Sequence, residues 1–146
     1  MKIFHSYGSK ERLFEMVNRV NHLNEEVLPK EQKEELINKF VSEVCKYLGV
    51  SSNKIEISYD PKEAQGMSSF GKNTPSTGII RVVAVNRNLA DVLRTLAHEL
   101  VHRKQLKENK LYIGAGDDGT DIENEANAEA ALIMRRFGKA NPIIFE

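Results

Sequence analysis

Three residues of this chain, His98, Glu99 and His102 in the run His98-Glu99-Leu100-Val101-His102, have the types and spacing to do chemistry on a metal ion. Side chains four apart on an α-helix project within about 40° of each other, so two imidazoles at this spacing can bind one ion. A glutamate directly after the first histidine leans to the side, near the ion without binding it. That is the place for a general base acting on a water that the ion activates.

The helical wheel separates these histidines from the apolar face of their own helix. With Leu89 at zero, Leu93, Leu96 and Leu100 fall within about 40° of it, whereas His98 and His102 lie at about 180–220°. The pair is therefore expected off the leucine stripe. Arg103, Lys104 and Gln105 are expected to continue a solvated polar face.

A catalytic zinc site takes three protein ligands and keeps one position for water, so the histidine pair needs a partner. His5 and His22 precede the motif without a recognisable spacing and read as surface residues. The stretch DIENEANAEAALIMRRFG offers Glu123, Glu125 and Glu129 on a further helix. Measured from its apolar stripe (Ile122, Ala126, Ala130, Ile133, Phe137), Glu123 deviates by about 50°, Glu129 by about 70° and Glu125 by about 110°. Glu123 is thus the carboxylate expected to point inward, and Asn127, one turn later, is placed to hydrogen-bond a ligand histidine. A second use of Glu123 stays open, because Thr120-Asp121-Ile122-Glu123 is also a capping box in which the glutamate bonds its own helix N-terminus. Ala126, Ala128, Ala130 and Ala131 favour the ligand role by letting this helix approach another closely.

His98-Glu99-x-x-His102 followed by Glu123-Asn124-Glu125-Ala126-Asn127 resembles the gluzincin metallopeptidases, and IENEANAEAALIM is most similar to the ImmA/IrrE-type members. The resemblance covers roughly residues 66–137. It implies a zincin-like fold with Zn2+ held by His98, His102 and Glu123, Glu99 as base, and the strand before the active-site helix as a shelf for an extended peptide. Asn127 departs from the pattern, since many gluzincins carry aspartate there, and an amide is a poorer acceptor than a carboxylate. The helix-turn-helix or additional domains that often accompany ImmA/IrrE-type proteins do not fit in this sequence, so a minimal gluzincin is the nearest description. An oxyanion formed at the metal would need a further donor, for which Tyr112 is the first candidate, with Arg135 or Arg136 behind it.

The elements that must position these residues are legible to different degrees. Residues 10–28 and 30–48 read as an N-terminal helical hairpin, the second helix starting at Pro29 and stopping at Gly49. Lys54–Tyr59 alternates like a strand, residues 66–71 suggest a short strand, and Lys72–Gly78 reads as a loop. Ile79–Val85 is the strongest strand signal, through its β-branched density. Asn86 or Asn88 caps the active-site helix, which runs to about Lys107. A glycine-rich loop follows, then the glutamate-bearing helix over 121–137, ended by Gly138, and a tail whose Ile143–Phe145 patch packs back. The fold expected is α+β in a single domain, 1–146, with the hairpin (1–50) preceding a catalytic core (51–146) built on a two- to three-stranded sheet.

Bulk properties narrow the function classes. The chain has 146 residues, 40% hydrophobic and 29% charged, with 21 basic and 21 acidic side chains and a net charge of zero. Such a balance provides no global field for nucleic acid, and no run of about 18 apolar residues crosses a bilayer. A cytoplasmic peptidase acting on a protein or peptide is the expectation, with no nucleic-acid or membrane partner. Its alternative is a catalytically silent zinc-containing module that sequesters a protein partner. Cys45, the only cysteine, falls on an apolar stripe and reads as a buried small hydrophobe.

Overall fold

The computed structural model describes residues 28–60, 62, 70–74, 76–85, 87–110 and 120–145. The chain divides into two compact units, Met1–Glu35 and Leu36–Glu146. The first helix of the expected hairpin falls almost wholly outside the described residues. The order of elements is α1 (Lys30–Leu48), β1 (Ile55–Ser58), β2 (Gly71–Thr74), β3 (Ile79–Val83), α2 (Leu89–Lys107), α3 (Asp121–Ala140) and a 3-10 turn (Pro142–Phe145). The fold is therefore α+β, as expected. Among the described residues no helix is long and apolar enough to cross a membrane.

α1 buries Ile37, Phe40, Val44, Cys45 and Leu48 on one stripe, and Phe40 meets Phe137 of α3 edge-on at 4.9 Å between ring centroids. Gly49 follows at φ +70°, the left-handed position that favours glycine at a helix C-terminus. Cys45 is buried as expected, and burial pushes its thiol above the ordinary range.

The sheet has three strands in the order β1-β3-β2, with β3 parallel to β1 and antiparallel to β2. Ile80, Val82 and Val83 are fully buried, which is what its β-branched run demands of a central strand. Its one outward charge, Arg81, lies opposite Glu56 in register and 3.4 Å from its carboxylate. Two expectations change here. Gly71–Thr74 lies in a stretch read largely as loop, yet it is a strand, because pairing with β3 overrides its weak intrinsic preference. The central place of β3 also removes it as a peptide shelf: both of its edges are already paired.

α2 starts at Asn88, whose side chain accepts from the Asp91 N–H at 2.9 Å, so Asn88 is the cap. The leucine stripe is buried as expected, but so are Ala90, Val92, Ala97, Glu99, Val101 and Gln105. The cause is position: α2 packs against β2, β3, α3 and the 3-10 turn, so most of its circumference is covered. Arg103 and Gln105, read as solvated, are accordingly engaged. The Arg103 guanidinium donates to the carbonyls of Ser51, Asn53, Lys54 and Gly78, at 2.6, 2.7, 3.3 and 2.7 Å, tying the approach to β1 and the start of β3 onto α2.

α3 runs three residues beyond its expected end at Phe137, through Gly138 to Ala140. Gly138 is a buried helical residue whose lack of a Cβ makes room for the Phe145 ring, not a stop signal. Asn141 ends the helix, its side-chain amide donating to the Phe137 carbonyl at 3.1 Å. The tail folds back as a 3-10 turn, and Ile144 is the residue it buries.

Candidate metal centre

α2 and α3 pack against one another, and their facing turns bring His98, His102 and Glu123 together. His98 Nε2 lies 2.8 Å from Glu123 Oε1, His102 Nε2 lies 3.1 Å from Glu123 Oε2, and the two Nε2 atoms are 3.0 Å apart. The side chains are 18%, 12% and 16% exposed, so the cluster is sheltered but open to a small ligand. Two imidazoles and a carboxylate aimed at one point make a donor set that could hold a metal ion. Ligand atoms about 2.0–2.1 Å from a tetrahedral ion sit roughly 3.4 Å apart, a few tenths of an ångström more than the separations here. The residues therefore fit a small divalent ion.

Thr120 and Glu123 meet at the start of α3. Thr120 caps α3, its hydroxyl accepting from the Glu123 N–H at 3.2 Å, while the Glu123 carboxylate turns to the histidines instead of back to its own helix. Only half of the capping box forms, and the side chain is released for the cluster. The small residues of α3 that face inward, Ala126 and Ala130, are buried as close helix approach requires. Glu129 and Glu125 take no part in the cluster. Asn127, exposed one turn beyond Glu123, lies near enough to the His98 ring to favour its protonated form.

Burial is the largest influence on His98 and holds its pKa below the usual imidazole value, against the opposing pull of Glu123. Such a ring is neutral near pH 7, the form that binds a metal. Glu99 is only 6% exposed, and burial pushes its pKa from 4.5 up to about 7, the nearby His102 lowering it and Glu123 raising it. What buries Glu99 includes β2: a Cβ on Gly71 would stand 2.5 Å from Thr95 Cγ2 and 3.1 Å from Glu99 Cγ, so only glycine lets the strand lie this close. Arg87 braces the same corner, donating to Thr95 Oγ1 at 2.7 Å with its guanidinium 4.2 Å above the Phe70 ring.

The raised Glu99 pKa has a consequence for stability. Between about pH 4.5 and 7 the folded, metal-free chain keeps a proton on Glu99 that the unfolded chain has released. This contribution to stability is complete below about pH 4.5 and is lost as pH rises through 7. Glu99→Gln mimics the protonated form at all pH values. Metal-free Glu99→Gln is thus expected to match the wild type near pH 4 and to exceed it by on the order of 3 kcal/mol at pH 8. Urea unfolding of both proteins across this range checks the sign; a difference that shrinks with rising pH contradicts it.

Tyr112 and the glycine-rich loop after α2 lie outside the described residues, as do His5 and His22. Arg135 and Arg136 are exposed on α3, and the Arg136 guanidinium sits 5.0 Å from the centroid of the Tyr47 ring on α1. The side chain that sequence reasoning misplaced is Gln105. It is 1% exposed and its Oε1 lies 2.7 Å from His102 Nδ1. Its position three residues after His102, one helical turn on, was the available signal. The chain matches no protein-family model, no curated protein and no solved structure, so the functional reading of this centre rests on its own residues.

Proposed function

We propose that the chain is a zinc-dependent peptidase of gluzincin type, with His98, His102 and Glu123 as metal ligands and Glu99 as general base. The observation that carries this reading is the convergence of three donor atoms within 4.8 Å beside a buried glutamate that directly follows the first of them. A bound zinc ion would supply Lewis acidity, activating a water at neutral pH and polarising the carbonyl it attacks.

The remaining chemistry belongs to the chain. The Glu99 carboxylate accepts the proton of the attacking water and returns it to the leaving amine. Burial gives this group a proton affinity matched to neutral pH, and a cation beside it draws it toward the ionised form a base needs. Glu123 would offset part of a bound ion's charge, and α2 with β2 shields the base from bulk water. An extended peptide would approach from the side of β2, the strand whose backbone lies against Glu99. Uptake of one zinc per chain, with cleavage of a mixed-peptide library that stops on chelation and returns with zinc, is the expected result. Stoichiometric zinc with no cleavage of any peptide would replace this reading with the silent zinc-containing module.

A further inference from the structure

Gln105 makes three hydrogen bonds from a site that is almost completely closed to solvent. Its Nε2 donates to the Ile122 carbonyl at 3.0 Å and to Glu125 Oε1 at 2.9 Å, while its Oε1 faces His102 Nδ1 at 2.7 Å. A primary amide has two N–H donors on one side and a carbonyl acceptor on the other, and here both donors are consumed by groups that can only accept. A backbone carbonyl never donates, and Glu125 is held on the outside by Lys110 at 3.9 Å. Turning the amide over would set its oxygen against two other oxygens in a buried site and leave an N–H pair facing the imidazole. That orientation is excluded on hydrogen-bonding grounds.

From this we infer that Gln105 is a positioning residue that fixes the tautomer of His102, holding the proton on Nδ1 so that the lone pair of Nε2 is presented to the metal centre. The inference rests on the zinc reading for its purpose, though not for its geometry. With Gln105 Oε1 fixed as an acceptor, the contact at 2.7 Å requires an Nδ1–H, and the neutral ring then has no proton on Nε2. That bare Nε2 faces Glu123 Oε2 at 3.1 Å and His98 Nε2 at 3.0 Å. Two acceptors directed at each other, nitrogen and carboxylate, are costly unless a cation or a donated proton lies between them. The Gln105 amide therefore prepares an electron-pair donor before any metal arrives. It also joins the two ligand-bearing helices, because Ile122 immediately precedes Glu123. One side chain thus sets the ring of a ligand on α2 and clasps the turn of α3 that carries another.

The test begins with the metal-free wild-type chain, labelled with 15N and examined by long-range 1H–15N correlation at about pH 8, above the ordinary imidazole titration. The expected result is a protonated Nδ1 and an unprotonated Nε2 on His102; an Nε2–H form would overturn the inference. In Gln105→Met, which keeps the bulk and removes the acceptor, His102 is expected to become a mixture of tautomers. Zinc affinity is expected to fall about 10–100-fold. Unchanged affinity with an unchanged tautomer would overturn the positioning role, whereas a merely structural role would lower thermal stability alone. Should Gln105→Met fail to fold, Glu125→Ala removes one of the amide's two anchors from a half-exposed position. It is expected to weaken zinc several-fold, and no change would count against the inference. If the wild type binds no zinc, the zinc reading fails, and the metal-free spectrum still decides the tautomer.

Discussion

Glu99→Gln is expected to bind zinc as tightly as the wild type and to hydrolyse peptides about 10²–10⁴-fold more slowly, the loss appearing in kcat. The substitution is nearly isosteric, which matters because Glu99 is packed against β2 where Gly71 leaves no spare room. Its amide cannot accept a proton from water at neutral pH, so the base is lost while the helix face and the ligands stay in place. The same variant is expected to gain stability above neutral pH in the metal-free form, since the charge whose burial is unfavourable has gone. Activity and stability should therefore move in opposite directions on one substitution. Parallel steady-state assays and zinc titrations make the check, and equal hydrolysis by both proteins would remove Glu99 from the chemistry.

The second large effect is on the metal itself. Glu123→Ala leaves only His98 and His102, and zinc affinity is expected to fall on the order of 10³-fold, because each protein donor carries a substantial share of the binding free energy. Thr120→Ala is the matched control. The two residues share a helix terminus, but the Thr120 hydroxyl accepts from the backbone N–H of Glu123, whose carboxylate is turned to the histidines. Thr120→Ala should cost about 1 kcal/mol of stability and leave zinc affinity unchanged. Competition titration against a chelator of known affinity separates the two variants. Wild-type affinity in Glu123→Ala would reject the carboxylate as a ligand.

The parts of the site that could be read before the structure were those encoded by one helix at a time. His98 and His102 follow from their four-residue spacing, and Glu123 from its angle to the alanine stripe of α3. Gln105 was misread for the complementary reason. A wheel drawn on α2 knows its own leucines, but it does not know that the start of α3 covers the opposite side, where Ile122 O and Glu125 wait for an amide. β3 announced itself through β-branched density, whereas β2, spelled Gly-Lys-Asn-Thr, exists through its partner and carries little signal of its own. Gly138 shows the same limit: glycine after a periodic run reads as a helix end, and only the Phe145 ring packed on it explains why the helix continues. The α+β class survives these local errors because four of the described elements, α1, β3, α2 and α3, are each set by strong local patterns.

The most direct test is a crystal structure of the zinc-loaded full chain with anomalous data collected at the zinc edge. The account predicts one strong peak per chain, about 2.0–2.2 Å from Nε2 of His98, Nε2 of His102 and a carboxylate oxygen of Glu123, with Glu99 nearby but not coordinating. A zinc ion bound elsewhere, or Glu99 coordinating in place of Glu123, would contradict it.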